Sequence, residues 1–231
     1  MSAITETQPV KMTMSQAINL ALDDALATDP RVLVFGEDVA DPEGGGVIGT
    51  TRGLSTKYGA ARVRSTPISE QAIIGAAIGS AMAGMRPVAE IMLMNFTTVC
   101  MDMLVNHAAK LRFMSGGQTQ VPLVVRCLTG AGASTGGQHA DFLEAWFAHT
   151  AGLKVVIPST PAEAYGLMLS CIDDEDPCIF VENLPLQRAA STDLPQRHQR
   201  IPLGQARVLR SGRDVTVVSY SRQVLEAAAV A

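Results

Sequence analysis

The sequence predicts an α/β fold, a mostly parallel sheet flanked by helices, followed by the start of a second α/β domain. Three observations lead there. Short continuous apolar runs, such as Val32-Leu33-Val34-Phe35 and Val121-Pro122-Leu123-Val124-Val125, have the character of strands buried on both faces. Segments of helical spacing alternate with these runs, the pattern of repeated βαβ units. A polar, Pro-containing stretch over 184–204 then separates the series from a fresh apolar run, Asp214–Tyr220.

The elements follow in order. Residues 1–12 read as a disordered lead. Met14–Ala27 carries Ile18, Leu22, Ala25 and Leu26 at helical spacing, with Thr13 or Ser15 as cap and Asp29-Pro30 as stop. Val32–Gly36 is a buried strand, followed by an acidic, Gly-rich loop from Glu37 to Thr51. The short run Arg62-Val63-Arg64 precedes an almost charge-free helix over 70–85. Next come a strand near Pro87–Met92, a helix over 95–114, a strand Val121–Arg126, a loop 128–141 and a helix 142–149. Strand 154–157 leads to helix 161–173, whose start is marked by Ser159, Thr160 and Pro161. Strand Cys178–Val181 closes the series. The first domain therefore spans 13–183, 184–204 is a linker, and 205–231 opens a second domain with a strand and a helix from Gln223. One βα unit cannot bury its own faces, so this second domain is expected to be cut short, unless the unit extends the first sheet.

Composition narrows the function classes. The 231 residues are 47% hydrophobic and only 4% aromatic, so a full core must be built from Ala, Val, Ile, Leu and Met. The net charge of −4, without basic runs or interleaved aromatics, argues against nucleic-acid binding. Cys100, Cys127, Cys171 and Cys178 form no C-x-x-C and lie in apolar stretches, which fits buried free thiols in a reducing compartment. Met1–Lys11 lacks an apolar h-region and any Arg, so no presequence is indicated and a cytoplasmic setting is expected. The helix over 70–85 is too short for a membrane span.

Glu70 is the first candidate site residue. A carboxylate at the mouth of an apolar helix is costly to ionise, and groups tuned this way do proton chemistry. The same position also suits a first-turn acid favoured by the helix dipole. Gly44, Gly46 and Gly49 satisfy G-x-G-x-x-G, but Glu37, Asp38, Asp41 and Glu43 would repel a pyrophosphate there. Gly75, Gly79 and Ala83 share one helix face, which allows close approach of either another subunit or another helix of this chain. The loop Thr129–His139 follows a strand, where parallel sheets bind ligands. His139 there could titrate near neutrality and donate a proton, or simply cap a surface helix. His107, His149 and His198 show no metal-ligand spacing, and no G-x-S-x-G elbow exists.

Several segments recur in a telling order: Phe35-Gly36-Glu37-Asp38-Val39, Thr66-Pro67-Ile68-Ser69-Glu70, Met82–Pro87, Met114-Ser115-Gly116-Gly117, Gln138-His139 and Gly152–Val156. Together they resemble the beta subunit of the thiamine-diphosphate-dependent decarboxylase component of 2-oxo acid dehydrogenases. Pyruvate, branched-chain and acetoin dehydrogenases share this transketolase-like subunit, and the resemblance runs from about residue 13 to the end.

The resemblance implies a pyrimidine-binding domain, then a C-terminal transketolase-type domain. It implies an α2β2 heterotetramer in which thiamine diphosphate lies between subunits, its diphosphate and magnesium held by the alpha subunit. The activity implied is decarboxylation of a 2-oxo acid, or cleavage of acetoin, with acyl transfer to the lipoyl acyltransferase component. Glu70 matches the glutamate that hydrogen-bonds the aminopyrimidine ring, and Phe96 the aromatic that packs on it. Glu37, Ile68 and Met92 match other cofactor neighbours, and His139 a histidine at the active-site mouth linked to acyl transfer. Leu123, Cys171, Ile172, Asp174 and Asp176 resemble a structural potassium site built mostly from backbone carbonyls. Departures are the long loop 39–51, the Ser/Thr/Gly-rich loop 129–138 and the absence of an aromatic after Asn183. They bear on substrate identity. Two other readings are a carboligase subunit of specialised metabolism and a non-catalytic assembly subunit or fragment.

Overall fold

The computed structural model describes residues 11–231. Most of the expected disordered lead lies outside the described residues. Met12 does not belong to it, because β1 (Met12–Thr13) pairs antiparallel with Ser191 and Ala190. Thr13 then caps α1 (Met14–Thr28): its hydroxyl accepts from the Gln16 amide at 3.2 Å, and its own amide donates to Gln16 Oε1 at 2.9 Å. Both orphan donors are satisfied reciprocally.

The chain continues through β2 (Val32–Gly36), α2 (Leu54–Tyr58), β3 (Val63–Ser65), α3 (Glu70–Met82) and β4 (Arg86–Leu93). After α4 (Leu111–Met114) come β5 (Val124–Thr129), α5 (Glu144–Ala148), β6 (Lys154–Val156), α6 (Pro161–Asp173) and β7 (Cys178–Asn183). The last elements are α7 (Leu184–Gln187), β8 (Ala190–Ser191) and α8 (Arg222–Val230). Six strands form one parallel sheet in the order β3-β2-β4-β5-β7-β6. The edge strands β3 and β6 have three residues each, which leaves little unpaired backbone.

Strand periodicity splits the core in two. Val34, Val88, Val124, Cys178 and Phe180 face α1 and α6, while Phe35, Ala89, Ile91, Val125, Cys127, Ile179 and Val181 face the other way, with α3 residues Ile73, Ile74 and Ala77. Apolar burial on both faces explains why the strands read as continuous apolar runs. Helix α6 begins as its sequence dictates, with Thr160 Oγ1 accepting from the Glu163 amide and Pro161 at the first helical position. No helix among the described residues is long and apolar enough to cross a membrane.

Some expectations need correction. The helix expected over 95–114 is broken into a 3₁₀ segment (Met94–Cys100), a π turn (Met103–Ala108) and α4. Thr97 and Thr98 hydroxyls bond back to the carbonyls of Met94 and Asn95, three residues earlier, and tighten the chain there. β5 starts three residues later than expected, because Pro122 has no amide to give the ladder. The helix expected to reach Met85 ends at Met82, followed by Gly84 at φ 91°. The stretch expected as a linker is docked along α1 and α6. Arg197 bonds buried Asp24, which also accepts from Tyr165, and Ser170 Oγ donates to the Ile201 carbonyl at 2.7 Å. Asp214–Tyr220 forms no regular element and has no ladder partner among the described residues, so its apolar pattern yields no strand.

Candidate active site at the carboxyl ends of the strands

From β2 the chain moves outward to β3; from β4 it moves the opposite way, to β5. Such a switch point opens a crevice at the carboxyl ends of the strands, where open α/β sheets bind ligands. Gly36 makes the crevice tight: a Cβ there would lie 2.6 Å from the Glu90 carbonyl oxygen. Any larger residue would force β2 and β4 apart.

Carboxylates crowd the crevice. Glu37 follows β2, Glu70 opens α3, and Glu90 lies on β4; all three are buried. Glu70 is 8% exposed and accepts no hydrogen bond from any described residue. Glu37 likewise lacks a partner among the described residues, and burial, then the Glu70, Asp38 and Glu90 charges, push its pKa up. Beneath Glu70, burial and the Glu70 charge push the Cys100 thiol up to about 12, so this cysteine is inert. Thr66 Oγ1, four residues before Glu70, is buried and unpartnered as well. Buried polar atoms are ordinarily satisfied, so this set is poised for a polar ligand.

Phe96 and His139 form the outer wall. Their rings meet edge to face, with centroids 5.6 Å apart and planes at 79°. Phe96 comes from the 3₁₀ segment after β4 and is half-buried. His139 comes from the loop after β5 and is exposed, and the helix that follows, α5, has Leu143 and not His139 at its N-cap. Met92 lines a small cavity with Glu90, Arg126, Val47 and Ile48. Ile68, two residues before Glu70, stands 82% exposed, a large apolar side chain without cover. The Gly-rich loop 44–49 roofs the cavity and leads into α2, a helix of only five residues; it forms no pyrophosphate cradle.

Sequence reasoning missed the charged cluster beneath this crevice. Arg126 is 3% exposed and lies between two carboxylates, with Nη1 2.6 Å from Glu90 and Nη2 2.7 Å from Glu182. In the ladder, Glu90 pairs directly with Arg126, and Glu182 lies two residues beyond Phe180, which also pairs with Arg126. Burial, reinforced by the Glu90 charge against the attraction of Arg126, raises Glu182 to about 7. The guanidinium stays charged, held up by both carboxylates against burial. One cation between two acids is balanced when one acid keeps a proton. Gln187 donates to Glu182 Oε2 at 2.6 Å, while its own Oε1 is buried and unpartnered. A half-turn of that amide lets Oε1 accept the proton of a protonated Glu182. The available signal was one charge inside each of three apolar runs, at Glu90, Arg126 and Glu182.

The residues expected around potassium gather at the amino ends of β5 and β7, away from the crevice. The Leu123 carbonyl accepts from the Cys178 amide and that of Cys171 from the Asp174 amide, while Arg86 bonds the carbonyls of Ile172 and Asp174. Lys154 holds the Asp174 carboxylate at 2.6 Å and that of Asp176 at 3.4 Å. These oxygens are hard donors of the right kind, and each carbonyl keeps a second lone pair. Among the described residues no group of three or more His, Cys, Asp or Glu is arranged to hold a metal, so such a site would rest on carbonyls.

Comparison with known proteins agrees with this fold. The profile of the transketolase pyrimidine-binding domain matches residues 10–188. The beta subunit of acetoin:2,6-dichlorophenolindophenol oxidoreductase from Cupriavidus necator is 44% identical over 230 residues, covering 95% of this chain and 68% of that protein. The corresponding Bacillus subtilis subunit is 42% identical, covering 94% and 67%. The beta subunit of mitochondrial 2-oxoisovalerate dehydrogenase from Dictyostelium discoideum is 45% identical over 93% of this chain and 57% of its own length. Among solved structures, a split-gene transketolase crystallised as an inactive beta4 tetramer superposes with a TM-score of 0.73 at 18% identity, covering 95% of this chain and 69% of that one, which speaks for the fold. The chain belongs to the transketolase-type family of oxidoreductase beta subunits that serve pyruvate, branched-chain 2-oxo acid and acetoin dehydrogenases.

Proposed function

We propose that this chain is the beta subunit of a thiamine-diphosphate-dependent dehydrogenase. It acts on a 2-oxo acid, pyruvate or a branched-chain analogue, or on acetoin, and passes the acyl group to a lipoyl carrier. The observation that carries this reading is Glu70, a buried carboxylate with no hydrogen-bond donor of its own, at the switch point of the sheet. The ring nitrogen of an aminopyrimidine would supply that donor when it carries a proton, and would accept one from Glu70 when it does not. Bound thiamine diphosphate supplies the carbanion chemistry and the electron sink.

The chain's residues then have distinct tasks. Glu70 shares a proton with the pyrimidine ring nitrogen and keeps it in place. Burial makes that exchange sensitive to small changes in charge, because no solvent screens it. Phe96 offers an apolar face to the pyrimidine, Ile68 and Met92 close around it, and Glu37, whose pKa burial and the neighbouring carboxylates raise, adds a second acid beside Glu70. His139 stands at the mouth, where an acyl group leaves for the lipoyl thiol.

The site is incomplete in one chain. An alpha subunit in an α2β2 heterotetramer would hold magnesium and the diphosphate, and exposed Ile68 is a natural place for it to cover. The outer face of α3 supports a subunit contact: a Cβ added at Gly79 would meet nothing within 4 Å, and Ala72, Ala76, Gly79 and Ala83 are all exposed. We assign structural potassium to the carbonyls of Leu123, Cys171, Ile172, Asp174 and Asp176. Melting in potassium against sodium chloride tests that assignment: a rise specific to potassium is expected, and equal melting in both salts sinks it. A cytoplasmic setting fits four buried, unpaired cysteines.

The test of the function is Glu70→Gln in a reconstituted complex with alpha subunit and lipoyl acceptor. Loss of the proton partner is expected to lower turnover by at least ~10²-fold with folding intact. Near-normal turnover would refute the mechanism.

A further inference from the structure

The loop that carries His139 has little to hold it. Ser134, Thr135, Gly136, Gly137, Gln138 and His139 are all exposed, so no core packs the segment down. Yet His139 meets Phe96, a residue on a different element, in a defined edge-to-face geometry. Something polar must fix that meeting.

Each ring has a neighbour that reaches across. Asn95 Nδ2 donates to Asp141 Oδ2 at 2.6 Å, and the Asp141 amide donates back to Asn95 Oδ1 at 3.3 Å. Asn95 precedes Phe96, and Asp141 follows His139 by two residues. The pair therefore ties the two ring-bearing segments together, 46 residues apart in sequence. The anchoring continues behind it. Thr129 Oγ1, at the end of β5, donates to the Asp141 carbonyl at 2.9 Å. The Gly130 amide and the Thr135 hydroxyl both donate to the His139 carbonyl, at 3.0 and 3.1 Å. A Cβ at Gly130 would lie 2.2 Å from that same oxygen, so only glycine permits this closure.

We propose that Asn95 and Asp141 form a reciprocal clamp that positions His139 against Phe96 at the mouth of the site. They are positioning residues, acting through the placement of the imidazole. The clamp deepens the functional reading above and rests on it for its catalytic consequence, but not for its geometry. The chemistry is directional: an amide faces a carboxylate. Two carboxylates in the same place would repel, and exchanging the two residues would restore one amide and one acid.

That exchange supplies the test. In the 231-residue chain, the Cε1–H signal of His139, assigned with His139→Gln, is expected to be displaced by the Phe96 ring, with Phe96→Leu as the undisplaced reference. Asn95→Asp is expected to collapse the displacement, and the Asn95→Asp/Asp141→Asn double variant to restore it. In the reconstituted complex, Asn95→Asp should lower kcat/KM for lipoamide by ~10-fold and dye-coupled decarboxylation by less, with recovery in the double variant. A displacement that survives Asn95→Asp, or damage that Asp141→Asn fails to relieve, overturns the clamp. A wild-type complex that reduces neither dye nor lipoamide would sink the functional reading instead, and the resonance would still decide the clamp.

Discussion

Glu70 shows how far a residue can be read from sequence. Its position before an apolar helix allowed a first-turn acid as well as a proton relay, and the order of the surrounding motifs favoured the relay. In the structure it is buried, opens α3 and lacks a donor, which fits the relay and leaves the dipole explanation insufficient. Glu182 was not legible. A single acid near the end of an apolar run acquires meaning only when the sheet register brings Arg126 beside it. Its raised pKa has a consequence for stability. Between the ordinary glutamate value of 4.5 and about 7, the folded chain holds a proton that the unfolded chain releases. Its contribution is full below that window and is lost as pH rises through 7. Urea denaturation at pH 5 and 7.5 is expected to show stability falling by about 2 kcal/mol from this group. Glu182→Gln should flatten that slope, and an unchanged slope would assign the proton elsewhere.

At the level of elements, strands and long helices followed from periodicity and caps, and failures occurred where side chains compete with the backbone. Helix α6 runs over the residues predicted for it, because Thr160, Pro161 and Glu163 define its start locally. The segment after β4 reads as one helix but is not one, since Thr97 and Thr98 bond back to the main chain and turn Phe96 toward the site. Helix α3 carried two readings for its small residues. Its inner side packs Ile73, Ile74 and Ala77 into the core; Gly75 lies toward Met103, whose sulfur a Cβ there would meet at 3.8 Å, and the face at Gly79 is left open. Gly79→Leu should therefore leave the melting temperature of the isolated chain nearly unchanged while weakening assembly with its partner subunits in sedimentation. A large loss of stability in the chain alone would return this face to internal packing.

At the scale of the molecule, the parallel sheet and its strand order place Glu37, Glu70 and Glu90 at one crevice. The meeting of Glu37 and Glu70 was visible in sequence only through the family resemblance, and Glu90 was not read at all, because residues 37, 70 and 90 are joined by topology and not by spacing. The run Asp214–Tyr220 shows the opposite limit. Its apolar run promised a strand, but a strand exists only with a partner, and none is among the described residues. The central claim is that this chain supplies the pyrimidine side of a site completed by another subunit. Calorimetric titration of thiamine diphosphate with magnesium tests it most directly. Little heat is expected from the chain alone, with stoichiometric binding once an alpha subunit is added. Tight binding to the chain alone would contradict the shared site.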